Sequence, residues 1–206
     1  MKALLKKDLY VLTKQSKIFL LFILVFCVMP QMTMVIFAIV YGALLPVTAF
    51  GYDERAKWST LARMMPYSER DLVLSKYTLG YIGIFGALVL VVIVRLVIGF
   101  FFSPALTADD YAMLLVMAIF TTIIQAFTLP IMIKFGTEKG RIIFFIIFGV
   151  VAGVGSLFMS RSDGIQIFID ISMTTVAIAA LAAAVIINLI SIKISESIVR
   201  NKAAKA

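Results

Sequence analysis

The sequence predicts an all-α integral membrane protein with six transmembrane helices, an amino-terminal amphipathic helix in the interface, a short cytoplasmic helix between spans two and three, and both termini in the cytoplasm. Three observations carry this. The 206 residues are 63% hydrophobic and only 15% charged, too few polar groups to cover a soluble domain. The apolar runs are long and do not alternate, which selects helices over barrel strands. The basic residues, finally, fall into four clusters separated by pairs of runs.

Six apolar stretches can be drawn, at residues 18–29, 32–51, 77–102, 111–133, 142–159 and 171–192. The first two are nearly continuous. As one helix they would be roughly 50 Å long at ~1.5 Å per residue, against a hydrocarbon core of ~30 Å. Pro30 removes a backbone donor and favours an extended residue before it, so Met29-Pro30-Gln31-Met32 reads as a turn between two short spans. The charges give an independent count. Seventeen of the nineteen Lys and Arg lie at residues 2–17, 55–76, 134–141 and 193–205. The remaining two are Arg161, expected outside, and Arg95, within span three. Basic residues mark the cytoplasmic side, so an even number of crossings keeps all four clusters there. The expected organisation is one transmembrane domain: interfacial helix 2–17, spans one and two 18–51, cytoplasmic loop 52–76, span three 77–102, span four 111–133, span five 142–159, external segment 160–170, span six 171–192 and cytoplasmic tail 193–206. No small-residue cleavage pattern follows the first lysines, so no cleavable signal is expected.

Residues 2–17 are amphipathic. At 100° per residue Leu4, Leu5, Leu9, Val11 and Leu12 share one arc, with Lys6, Lys7, Lys14 and Lys17 opposite, the pattern of a helix lying among headgroups. Asp8 falls within the apolar arc, where a lone carboxylate is costly. It either pairs with a basic residue of the cytoplasmic loop or sits exposed at the edge of a tilted helix.

In the loop from Tyr52 to Lys76, Asp53 reads as an N-cap and Glu54 as a favourable first-turn acid. Trp58, Leu61, Ala62 and Met65 follow at helical spacing, and Pro66 ends the segment. Ser68 with Asp71 has capping-box spacing for a second helix that runs into span three. The short helix suits either a soluble partner gripping Trp58 or packing on the bilayer with Trp58 as an interface anchor.

Within the spans, Arg95 is either functional or snorkels outward, with Asp109, Asp110 and Asp170 as candidate partners. Thr121, Thr122, Gln125, Thr128 and Asn188 either line a translocation path or hydrogen-bond between helices. Gly80, Gly83, Gly86 and the Gly149/Gly153 pair are spaced for close packing. Cys27 reads as a buried thiol. The absence of histidine and of a GxSxG motif leaves a membrane protease or metal hydrolase almost no residues to work with. The net charge of +8 is assigned to membrane orientation and headgroups rather than to nucleic acid. Gly136-Thr-Glu-Lys-Gly140-Arg141 only superficially matches a phosphate-binding loop: the spacing, the Lys-Ser/Thr pair and the preceding strand are missing.

Leu4-Leu5-Lys6-Lys7-Asp8-Leu9-Tyr10, Tyr52-Asp53-Glu54 with Lys57-Trp58, Met65-Pro66-Tyr67-Ser68 and Ser75-Lys76-Tyr77 resemble the ABC-2 type permeases of bacterial ATP-binding-cassette exporters, most closely the small six-span permeases of the phenol-soluble-modulin exporter type. The resemblance implies a non-enzymatic permease subunit in the bacterial cell membrane, paired with a second permease chain as a homodimer or heterodimer. Two cassette ATPases would bind the ATP and Mg, and the permease would need no cofactor. The helix near 53–65, with Tyr52, Asp53, Glu54, Lys57, Trp58, Leu61, Met65, Pro66, Ser68 and Lys76, would couple to the ATPase. Residues 2–17 would form the interfacial elbow, and Arg95, Thr121, Gln125 and Asn188 could line the path. The implied cargo is an amphipathic or antimicrobial peptide, or a lipid-like or hydrophobic compound. An importer's substrate-binding membrane subunit, or half of a secondary transporter or channel, fits the residues alone as well.

Overall fold

The computed structural model describes residues 2–15, 17–29, 31–65, 67–102, 107–160 and 173–203. They form nine helices: α1 Lys2–Gln15, α2 Lys17–Val28, α3 Met32–Gly42, α4 Leu45–Arg55, α5 Trp58–Arg63, α6 Glu69–Phe102, α7 Ala108–Phe135, α8 Thr137–Ser160 and α9 Met173–Ala203. There is no strand among the described residues.

α2 and α3 run antiparallel. Phe22 stacks with Tyr41 (centroids 6.0 Å apart) and Phe26 with Phe37 (6.3 Å), so the paired positions move in opposite directions along the chain. The reversal falls at residues 29–31, although Pro30 itself lies outside the described residues. α2 has 12 residues, about 18 Å at ~1.5 Å per residue, short of a ~30 Å core. α3 and α4 follow one another with only Ala43 and Leu44 between them. Pro46, in the first turn of α4, cannot donate to the carbonyl four residues back, which marks the break. Together they make an apolar stretch, Thr33–Arg55, long enough to cross a membrane. Glu69–Phe101, Asp110–Phe135 and Ile178–Lys202 are the other three such stretches among the described residues. α8, with 24 residues, packs on α7 and α4.

Several expected boundaries shift. α4 carries on through Arg55, so Asp53 and Glu54 sit in its last turn rather than opening a new helix. Both find partners on neighbouring helices from there, as described below, and neither caps α5. The chain instead reverses at Lys57, which takes a left-handed conformation (φ 49°, ψ 36°) and leads into the six-residue α5. Ser68 does open α6: its hydroxyl accepts from the Asp71 amide at 3.1 Å and donates to the Asp71 carboxylate at 2.9 Å. α6 then runs unbroken for 34 residues. The expected tail from 193 is helical as far as Ala203, as a continuation of α9. The expected external segment falls almost wholly on residues 161–172, outside the described residues.

The polarity of the bundle is inverted. Ile82, Phe85, Val89, Ile93 and Phe100 of α6, and Leu181, Val185, Ile186 and Leu189 of α9, point outward. Thr121, Gln125, Asn188, Ser191 and Ser195 are buried between helices. Such an arrangement suits a hydrocarbon solvent, in which polar groups must find partners inside the protein. The apolar core joins Ile23 and Cys27 of α2, Val35, Ala38 and Ile39 of α3, Ile84, Leu88 and Val91 of α6, and Leu114 and Ala118 of α7.

Close backbone approach fixes α3 against α6. A Cβ built on Gly42 would lie 2.5 Å from the Gly83 carbonyl oxygen, and one built on Gly83 would collide with the Gly42 carbonyl in return. The contact uses the carbonyl that Pro46 leaves without its helical donor. A Cβ at Gly86, Gly149 or Gly153 would meet nothing within 4 Å, so of the expected small-residue positions Gly80 and Gly83 are those at a close approach among the described residues. Gly83→Val should therefore cost roughly 1–3 kcal/mol through overpacking, with Gly86→Val close to neutral. A thiol-reactive dye reporting on Cys27, which is 0% exposed, would read both as shifts in melting temperature.

Candidate functional site

One end of the bundle gathers α1, the end of α4, α5, the start of α6, the α7–α8 turn and the end of α9 around a cleft of about 590 Å³. Its floor is built from the sequence in layers. On α1, Leu4, Asp8 and Leu12 recur every four residues and are all buried. Leu12 packs on Ala49 of α4 and Leu79 of α6. One turn outward, Asp8 meets Asp53 and Lys76, which stand four residues after Ala49 and three before Leu79. Helical periodicity thus brings three charged residues of three helices to one level.

Lys7 joins them and closes a ring. Its ammonium lies 2.9 Å from Asp8 Oδ1 and 2.6 Å from Asp53 Oδ1. Lys76 lies 2.8 Å from Asp8 Oδ2 and 2.5 Å from Asp53 Oδ2. Each carboxylate bridges both ammonium groups through different oxygens, and the ring is neutral. Asp8 is 2% exposed and Lys76 8%, while Lys7 and Asp53 open further toward the cleft. Asp8 is therefore buried and paired, not exposed at a helix edge. Lys7 departs from the expected arc of surface lysines because two carboxylates draw it inward, whereas Lys6 and Lys14 stay exposed, Lys14 over the Tyr10 ring at 5.1 Å. Leu9, placed on the apolar arc by its spacing, is exposed.

Trp58 covers the ring from α5, its indole 4.2 Å from the Lys7 ammonium, and Phe50 lies 5.1 Å from that of Lys76. Desolvated cation–π contacts of this kind contribute up to ~2 kcal/mol. Ala62 of α5 is buried, whereas Leu61, and Met64 and Met65 in the turn that follows, are exposed, Met64 at 79%. Lys57 is exposed, Tyr52 is half-buried on α4, and Pro66 lies outside the described residues.

Glu54 reaches the other way. Its Oε2 accepts from the Thr137 amide at 3.1 Å and from the Thr137 hydroxyl, placing a carboxylate on the N-terminus of α8, where it satisfies an orphan donor and the helix dipole. Gly136 makes this approach feasible: its φ of 89° disfavours a side chain, and a Cβ would stand 3.1 Å from Glu54 Oε1. The superficial phosphate-loop match at 136–141 is thus a helix-to-helix turn already occupied by a carboxylate. Lys202 at the end of α9 donates to the Ile133 carbonyl at 2.7 Å, and Arg70 meets Glu196 at 3.5 Å on the surface.

Deeper in the bundle, Tyr77 hydrogen-bonds Ser195 at 3.0 Å and Ser191 at 2.5 Å, and Ser191 donates to the Ala126 carbonyl. Tyr81 donates to Asn188 Oδ1 at 2.7 Å, and Asn188 Nδ2 reaches the carbonyls of Ala184 (2.8 Å) and Thr122 (3.4 Å). Gln125 Nε2 donates to the Tyr77 carbonyl at 3.4 Å; the side chain fills the space opposite Gly80, where a Cβ would strike it. Thr121 bonds back to Met117 of its own helix at 2.7 Å. Of the four residues expected along a path, Thr121 and Asn188 thus have their hydrogen bonds within this one chain, and Gln125 donates through Nε2 while its buried Oε1 has no partner among the described residues. The fourth, Arg95, donates to the Met29 carbonyl at the C-terminus of α2, a favourable place for a cation. Asp110 is engaged with Thr107 at the start of α7. Asp170 lies outside the described residues.

The α9 stripe Ala184, Asn188, Ser191, Ser195 went largely unread in the sequence. Its 4-3-4 spacing of small and polar residues in an apolar helix is a legible packing signal. Thr137 carried no signal, because its role depends on Glu54, 83 residues away. Among the described residues no group of three His, Cys, Asp or Glu stands together to hold a metal ion, and both carboxylates of the ring are neutralised by lysines.

An inverted bundle with several apolar crossings and a polar assembly at one end defines a multi-pass membrane protein. The chain belongs to the ABC-2 family: residues 3–200 match the family described as ABC-2 family transporter protein. No curated protein and no solved structure matches it. The family makes it the permease component of an ABC transporter, partnered with an ATP-binding-cassette subunit. Members of the family are membrane components, generally not catalytic themselves.

Two outcomes follow from the geometry. Asp8→Ala leaves two lysines facing one carboxylate and should cost about 3 kcal/mol. Asp8→Ala with Lys76→Met should cost less than the sum of the single changes in a double-mutant cycle of melting temperatures. Glu54→Ala should cost about 1 kcal/mol through the lost cap, with Glu54→Gln intermediate, by the same Cys27 dye assay.

Proposed function

We propose that the chain is the six-span permease of an ATP-driven exporter, with both termini in the cytoplasm and the loop around α5 as the contact for the cassette ATPase. The observation that carries this is α5. It leaves Leu61 exposed, with Met64 and Met65 exposed in the turn that follows it, at the end of the bundle where α1, the α7–α8 turn and the end of α9 also meet. An exposed apolar cluster on a short helix rimmed by charge suits a protein partner. The same end gathers the basic segments, which supports an even number of crossings and a cytoplasmic assignment. The reading takes α2 and α3 as two short spans and α8 as the fifth. It places ATP and Mg in the partner and pairs two permease chains with two ATPases. The resemblance to the phenol-soluble-modulin exporter type favours amphipathic peptides or hydrophobic compounds as cargo, moved outward.

Co-expression with a cassette ATPase tests it. Leu61→Ala with Met64→Ala should reduce ATPase recovered with the permease at least about tenfold, as for anchor residues of an interface. Undiminished recovery would count against α5 as the contact. Vanadate-sensitive accumulation of cargo in inside-out vesicles separates export from import.

A further inference from the structure

We propose that the groove between the last turn of α4 and the first turns of α8 binds the phosphate headgroup of an anionic glycerophospholipid from the adjacent leaflet. The groove has a volume of about 500 Å³ and is separated from the ring by the Glu54 side chain, which lines both. Its walls carry Arg55 from α4 and Lys139 and Arg141 from α8, with Thr48 and Tyr52 adding hydroxyl groups. Among the described residues none of the three cations is held in an ion pair, whereas Lys7, Arg70 and Lys76 are. Two carboxylates also line the groove. Glu54 is turned to the N-terminus of α8 and held there by Thr137. Glu138, exposed in the first turn of α8, leaves the cations in excess. Arg141 crosses toward α4, its guanidinium Nη2 3.5 Å from where a Cβ of Gly51 would stand, an ordinary packing distance.

Position decides between a lipid and a free anion. The groove opens where the apolar stretch Thr33–Arg55 ends. The next turns of α8 present Ile142, Phe145 and Ile146 outward, and Phe135 on the groove wall is also exposed. A bound phosphate would therefore have an apolar face directly beneath it for two acyl chains, the setting in which basic pockets between spans take lipid headgroups. Soluble phosphate has no use for that face. The occupant would join α4 to α8 across the gap that Glu54 and Thr137 already bridge, steadying the helix from which α5 hangs. The inference rests on the proposed function only for which leaflet the groove faces.

Native mass spectrometry of the full chain, purified without an ATPase, tests it independently of export. The wild type should retain phosphatidylglycerol over phosphatidylcholine. Arg55→Gln/Lys139→Gln/Arg141→Gln should abolish the preference. Arg55→Gln and Arg141→Gln alone should each weaken it about fivefold, which keeps the test decisive if the triple variant fails to fold. Lys2→Gln/Lys193→Gln/Arg200→Gln, removing exposed cations elsewhere, should retain it. Equal retention of phosphatidylcholine, an unchanged preference in the groove variants, or an equal loss in the control variant would overturn the proposal. Displacement of the lipid by millimolar inorganic phosphate would overturn it too, by showing a free-anion site.

Discussion

A carboxylate in the position of Asp8 is costly without a charged partner. It lies on the buried stripe of α1 between Leu4 and Leu12, and water reaches almost none of it. Two ammonium groups, 2.9 and 2.8 Å away, keep its charge tolerable, and each is shared with Asp53. A buried ring of this kind adds little net stability over an apolar replacement, but breaking it is expensive. Its effect is to fix register. α1, α4 and α6 can slide past one another only by parting these charges, two of them buried, and the layer beneath, Leu12 on Ala49 and Leu79, is set by the same register.

That register extends outward. With α4 pinned through Asp53, the next residue points away from the ring and caps α8, so one turn of helix ties together three others, α1, α6 and α8. The same turn ends in the left-handed Lys57, which folds α5 back and lays Trp58 over Lys7. α5 is thus fastened on one face by aromatic and ionic contact and free on the other. A force applied to Leu61, or to Met64 and Met65 in the turn after α5, would reach α1, α4 and α6 through short, charge-assisted links rather than through a loose loop.

The spans are held by different means. In hydrocarbon, apolar side chains gain nothing by turning inward, so association relies on close backbone approach and interhelical hydrogen bonds. Gly42 against Gly83 supplies the first, and Tyr77, Tyr81, Asn188 and Ser191 the second. Gln125 of α7 and Asn188 and Ser191 of α9 act as such links within the chain, and a translocation route lined by them would have to share their hydrogen bonds with cargo.

The class of protein, the reversal near Pro30, the gathering of basic segments and the capped start of α6 were all legible in the sequence. Each depends on local periodicity, on composition, or on the cost of a charge in lipid, and these act whatever the tertiary arrangement. The structure alone decided the partners. Asp53 and Glu54 look like the start of a helix because their residue types favour that place. They end one instead, because Lys7, Lys76 and Thr137 lie 46, 23 and 83 residues away and outweigh a local cap. Periodicity likewise grouped Lys7 with the outward lysines of α1, whereas Asp8 and Asp53 hold its ammonium at 2.9 and 2.6 Å. Three of the four stretches that carry the resemblance acquire a physical sense only in three dimensions, where Asp8, Asp53, Trp58 and Lys76 meet around a single neutral ring.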